Sequence, residues 1–156
     1  MSNISSRRTP VDDHYGTCLE TRAELLIYPG TVSPHEVTAL LGVEPTKVNI
    51  TGEEVVNRLG RRRVVAINGW FLSSEQSVIS LDIRRHIDWL LGKISPLAEG
   101  LAALQAITGV TMTVQCAWYS RSGHGGPTLW PEQMRALADL NLECGFDIYF
   151  LFDDEE

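Results

Sequence analysis

The stretch from Val32 to Pro45, VSPHEVTALLGVEP, constrains the fold of this chain more than any other, because it specifies a helix at both ends. Ser33 supplies an N-cap hydroxyl, Pro34 suits the first helical position where its missing N–H goes unused, and Glu36 completes a capping box. Val32 and Val37 stand where a hydrophobic staple belongs. Val37, Leu40 and Leu41 form an apolar stripe, and Gly42 suits the left-handed residue that follows a last turn. A strand precedes this helix: Ala23 to Tyr28 (AELLIY) runs mostly apolar until Pro29-Gly30 turns the chain.

The same punctuation returns near the C-terminal end. Pro131 matches Pro34, Met134 matches Val37, Ala136 matches Ala39, and Leu137 matches Leu40. After an insertion, Leu140-Asn141-Leu142-Glu143 falls opposite Leu41-Gly42-Val43-Glu44, and asparagine is the other residue type that tolerates the left-handed position. Leu129 with Met134 repeats the staple. Thr111 to Ser120 (TMTVQCAWYS) alternates as a strand ahead of this second helix, and Phe146 to Phe152 (FDIYFLF) follows it as an aromatic strand. The pattern predicts an α+β domain in which two βαβ-like units form a ferredoxin-like antiparallel sheet, helices covering one face.

Between the units, Arg62 to Ser73 reads as a strand, straight or bent in two, with Gly69 marking a bulge before Trp70. An extra helical pair is inserted from Asp82 to Ile107. Ile83, Ile87, Leu90, Leu91, Ile94, Leu97, Leu101 and Leu104 recur at helical spacing, and Ser95-Pro96 breaks the run into two helices or kinks a single one. The expected organisation is a flexible N-terminal segment (1–20), one α+β domain (21–152) and an acidic tail (153–156). A chain of 156 residues, 44% hydrophobic, is long enough to bury one core.

A net charge of −7 repels polyanions and argues against nucleic-acid binding. Arg58, Arg61, Arg62 and Arg63 beside Lys47 form a local exception, either a solvated hairpin or loop or a patch for an anionic ligand or acidic partner. Neither a signal peptide nor an eighteen-residue apolar run can be read, which points to a cytoplasmic protein without a membrane partner. Cys18, Cys116 and Cys144 lack C-x-x-C spacing and read as reduced thiols packed as small hydrophobes. No zinc-ligand set or other metal motif is legible, and no cofactor is expected.

The glycine-dense segment SGHGGPTLWPEQ, Ser122 to Gln133, invites a phosphate-loop reading. It lacks the lysine and hydroxyl of a Walker-type loop, and Trp130 and Pro131 stand where a dinucleotide loop needs a capping hydroxyl and a free N–H. The repeat gives it the place of the connector at Pro29 to Ser33, so it reads first as a chain reversal. His124 is its only histidine and its candidate acid–base group, with Asp147 the partner if their strands are neighbours. His86, flanked by Arg84 and Arg85, reads as a surface residue. No G-x-S-x-G elbow or cysteine nucleophile motif occurs. Trp70, Trp118, Tyr119 and Trp130, at strand ends or in loops, read as core packing or as an aromatic recognition surface, and Trp89 as the core member of its helix.

The succession LGVEPTKV, TGE, GWFLSS, HIDWLLGKI and GHGGPTLWPEQMRALADLNLECGFDIY resembles a bacterial family designated domain of unknown function 4279, over about residues 23–150. The motifs carrying it are Pro45-Thr46, the Trp70 block and the run from Gly125-Gly126-Pro127 to Tyr149. The resemblance implies small stand-alone bacterial proteins and supplies no catalytic residues. The expectation is therefore a non-enzymatic binding or protein-interaction module, its acidity suiting an immunity-like role against a basic partner. The alternative is an enzyme or small-ligand sensor built on the loop around His124. The candidate surface is Trp70, Tyr119, Arg121, His124, Trp130 and Asp147, and an exposed edge strand would suit homodimerisation.

Overall fold

A computed structural model describes residues 8–151, and β1 (Cys18–Tyr28) is the strand around which they are organised. From β1 the chain passes through α1 (Pro34–Leu41), β2 (Lys47–Asn49), a hairpin of β3 (Glu54–Val56) and β4 (Arg62–Val64), and β5 (Gly69–Ser73). Then follow α2 (Ile83–Ile94), a 3₁₀ turn at Ser95–Leu97, α3 (Ala98–Gln105), β6 (Thr111–Ser120), α4 (Pro131–Asp139) and β7 (Cys144–Phe150).

The class is α+β, with a five-stranded sheet ordered β2-β5-β1-β6-β7 and a separate two-stranded sheet formed by β3 and β4. β1 is antiparallel to both β5 and β6, and β2 is antiparallel to β5. The expectation of a wholly antiparallel sheet is corrected at one edge, where β6 and β7 are parallel neighbours joined across α4. The stretch 62–73 is divided between two sheets, and β5 keeps plain register with β2 through Gly69, so no bulge forms there. The glycine instead leaves room for the Phe71 ring, which a Cβ at that position would strike.

The helices lie on one face of the sheet. Ala23, Leu25 and Ile27 from β1, Trp70 and Leu72 from β5, and Val114 and Cys116 from β6 meet Ile83, Ile87, Leu90 and Ile94 of α2 in the core. Val37 and Leu41 of α1, Leu101 and Leu104 of α3 and Leu137 of α4 complete it. The alternate residues of the strands face away from the helices, and among them Arg22, Glu24, Leu26 and Tyr28 on β1 are half-buried.

Residues 8–17, expected to be loose, are fastened to the domain. The Arg84 guanidinium donates to the carbonyls of Thr9 (2.6 Å) and Pro10 (3.0 Å) and to both Asp82 oxygens, while the Asp12 amide donates to Asp82 Oδ2. Arg84 and Asp82 are both fully buried. Tyr15 packs edge-on against Trp118, whose buried indole N–H has no hydrogen-bond partner among the described residues. β1 itself begins at Cys18 rather than Ala23, with a bulge between Cys18 and Glu20. Residues 1–7 and the acidic end at 153–156 lie outside the described residues.

Candidate functional site

The six residues expected to form one surface are distributed over four environments. Trp70 is fully buried, and its indole donates to Thr38 Oγ1 at 3.0 Å, so it belongs to the core and not to a ligand surface. Its place on β5 follows from alternation, since Trp70 and Leu72 share the helix-facing side. Trp130 stands at the start of α4, where its ring lies under the Arg84 guanidinium (5.1 Å) and its indole donates to the Thr9 carbonyl. A tryptophan side chain cannot accept from the first-turn amides, and only the reciprocal half of a capping box forms, Gln133 Oε1 accepting from the Trp130 amide at 3.0 Å.

Arg121 and His124 occupy the exposed glycine-rich loop. The Arg121 amide donates to the Thr17 carbonyl, the His124 carbonyl accepts from Ser120 Oγ, and the imidazole Nε2 lies 3.1 Å from Ser122 Oγ. Gly125 has φ +90° and a Cβ there would collide with Thr17, while the Gly126 carbonyl accepts from the Tyr15 hydroxyl at 2.6 Å. The glycines thus let the loop reverse beneath residues 15–17. Tyr119 and Asp147 share the open face of the sheet, on the neighbouring strands β6 and β7, and Tyr119 stacks on Tyr149 with ring centroids 4.6 Å apart.

His86, expected on the surface, is buried. Its Nδ1 is 2.7 Å from Ser74 Oγ, and its Nε2 is 2.8 Å from the Ser80 carbonyl. A carbonyl can only accept, so Nε2 carries the proton and Nδ1 accepts from the serine. Burial pushes the imidazole below its ordinary pKa of 6.5, leaving it neutral. Asp82 is also perturbed: burial works to raise its pKa, but hydrogen bonds from Arg84 and the Asp12 amide prevail and hold it low. These groups tie α2 to β5 and to residues 9–12, which accounts for them structurally.

A second open surface lies at the β2 end of the sheet. A hollow of about 430 Å³ on the open face is lined by Glu24, Leu26, Tyr28 and Phe71 with Lys47 and Asn49. Tyr28 and Phe71 meet edge to face, and Glu24 accepts from Arg22 Nε at 2.8 Å. Lys47 and Asn49 also line a larger cleft, about 720 Å³, whose other wall is the β3–β4 hairpin with Val55, Val56, Arg61 and Arg63. Both volumes lie in the range of small-molecule sites.

The hairpin projects from the domain on its own small sheet, closed by Asn57, whose side chain accepts from the amides of Leu59 and Arg61. At its base Thr51 donates to Asn68, and Asn68 donates to the carbonyls of Gly30 and Val32. Its branched side chains are strongly exposed: Val56 61%, Leu59 80%, Val64 66%, with Ile67 at 60% just beyond. Arg62 pairs with Glu54 at 3.5 Å, and among the described residues no ion pair engages Lys47, Arg61 or Arg63. The basic cluster was legible in the sequence, but the hollow beside it was not. Glu20, Arg22 and Glu24 hide the first half of β1 among polar residues, and only their strict alternation with Thr21, Ala23 and Leu25 signals a strand with one open face.

Compared with known proteins, the chain matches the family model described as Domain of unknown function (DUF4279) over residues 19–151, from the second residue of β1 to one residue past β7. Neither a curated protein nor a solved structure matches it.

Proposed function

Because the chain belongs to the DUF4279 family, whose description assigns no reaction, we propose a function from the surface itself: a non-enzymatic protein-interaction module that docks its partner through the β3–β4 hairpin and the adjoining cleft. The observation that carries this reading is the hairpin's set of outward-facing Val56, Leu59 and Val64. A small domain with a filled core has no packing reason to extend branched apolar side chains into water, and clusters of this kind beside cationic groups are typical of docking surfaces. The strand order β2-β5-β1-β6 supports reading the sheet as ferredoxin-like with β7 added at its edge, which leaves one whole face and the hairpin free for recognition. The reading is tested by photo-crosslinking in cells with benzoylphenylalanine in place of Leu59 or of His124. A discrete protein adduct from the Leu59 position is expected. Adducts from the His124 position alone would refute it.

A second reading, a small-ligand sensor, is favoured by the stacked Tyr119 and Tyr149 with Asp147 on the same face, next to the His124 loop. Under that reading His124→Ala or Tyr149→Ala abolishes the thermal shift produced by a cognate metabolite, and unchanged shifts would remove it.

A further inference from the structure

We propose that the cleft between β2 and the hairpin receives an extended acidic peptide, which adds as a strand to the outer edge of β2 with its carboxylates on Arg61 and Arg63. The inference rests on the docking role argued above and names the chemistry of the partner. β2 ends the five-stranded sheet, so its outer backbone edge has no strand partner among the described residues, and strand addition to such an edge is a common mode of peptide recognition. The cleft lies along that edge and includes all three residues of β2, Lys47, Val48 and Asn49.

Charge selects the occupant. Residues 47–63 carry five of the chain's thirteen lysines and arginines but only two of its twenty acidic residues, within a protein of net charge −7. A basic island on an acidic body draws an acidic segment to one place and turns away nucleic acid, whose phosphates meet repulsion over most of the surface. Arg62 is already paired with Glu54, whereas Arg61 and Arg63 line the cleft and remain for carboxylates, which guanidinium groups hold in bidentate fashion. An extended peptide turns successive side chains to opposite faces. One row can therefore carry carboxylates to Arg61 and Arg63, on the hairpin face that Val55 shares with its cross-strand neighbour Arg63, while the alternate row needs no charge, which suits an alternating acidic and apolar ligand.

The test uses a fluorescein-labelled, end-capped peptide of alternating valine and glutamate, its valine–lysine counterpart, the acidic peptide N-methylated at alternate amides, and a single-stranded oligothymidylate. Anisotropy is measured at low salt. The acidic peptide is expected to bind at least about tenfold more tightly than the other three, since charge match and backbone pairing both contribute. Arg61→Glu/Arg63→Glu should weaken it by about tenfold or more and improve binding of the lysine peptide, with an unchanged melting temperature because both side chains are exposed. Equal binding of acidic and basic peptides, indifference to N-methylation, or preference for the oligonucleotide would each overturn the proposal. If the Leu59 crosslink forms while the acidic peptide fails to bind, this inference falls and the docking role stands; loss of the crosslink removes both.

Discussion

Replacing Arg84 by methionine is a severe test of how the N-terminal segment is held. The substitution keeps much of the side-chain volume but removes a fully buried cation that donates to both oxygens of Asp82 and to the Thr9 and Pro10 carbonyls. The Asp82 carboxylate would keep only the amides of Asp12 and Arg84 as donors. Breaking a buried pair on one side costs about 3–5 kcal/mol, because the surviving charge stays desolvated. At about 3 °C per kcal/mol for a domain of this size, the melting temperature should fall by roughly 10–15 °C. Asp82→Asn added to the variant removes the stranded charge and preserves the N-cap of α2, so the double variant should recover at least about 1 kcal/mol. Urea denaturation of wild type, the Arg84→Met and Asp82→Asn single variants and the double variant, followed by tryptophan fluorescence, measures each term. The pH dependence is also fixed in sign. Asp82 is held below its unfolded pKa, so its contribution is present above about pH 4 and is lost as pH falls through the folded value. In the Arg84 variant a buried, unpaired carboxyl favours protonation, so the deficit should shrink toward acid. Stability of the single variant within about 0.5 kcal/mol of wild type, or no recovery in the double variant, would refute the reasoning.

Three other perturbations follow from the packing. His86 is held below 6.5, so folding stability should decline as pH falls below that value, by at most about 1.4 kcal/mol per pH unit, and His86→Asn should flatten this slope in urea titrations between neutral and mildly acidic pH. Gly125→Ala combines a φ of +90° with a collision against Thr17 and should lower stability by more than about 1 kcal/mol in calorimetry, whereas Ser122→Ala in the same loop should be near neutral. Cys144 lies 3.9 Å, sulfur to sulfur, from Cys116, and the Cys116 thiol hydrogen bond lowers its pKa while the buried Cys116 is pushed up. Mass spectrometry should find Cys144 alkylated by iodoacetamide before Cys116, and Cys116→Ala should slow the Cys144 reaction at neutral pH.

The features set by local chemistry were legible in advance. Ser33, Pro34 and Gly42 bound α1 where the sequence says: Ser33 Oγ accepts from the Glu36 amide, and Gly42 adopts φ +70°. Asn141, matched to Gly42 by the repeat, also has positive φ, and Ser95-Pro96 divides the helical pair. The repeat itself marks two crossovers that lie in one sheet, although β5 separates β1 from β2 while β6 and β7 touch directly. Strand order depends on which edges find each other in three dimensions, and no local residue records it. The candidate surface loses Trp70 to the core for a related reason. Trp70 and Trp130 are as plausible for recognition as for packing, and their roles are decided by Thr38, Arg84 and Thr9, which are distant in sequence. His86 was misread because neighbouring arginines suggest solvent, whereas its position one turn after Ile83 puts it on the helix's inner side.

Backbone amide shifts of the labelled protein, followed during titration with the alternating valine–glutamate peptide, bear most directly on the claim that the molecule works by docking at its β2 end. The largest changes are expected at residues 47–49 and 54–64, with the loop at 119–130 unmoved. Changes centred on Tyr119, His124 and Tyr149, with the hairpin silent, would contradict it.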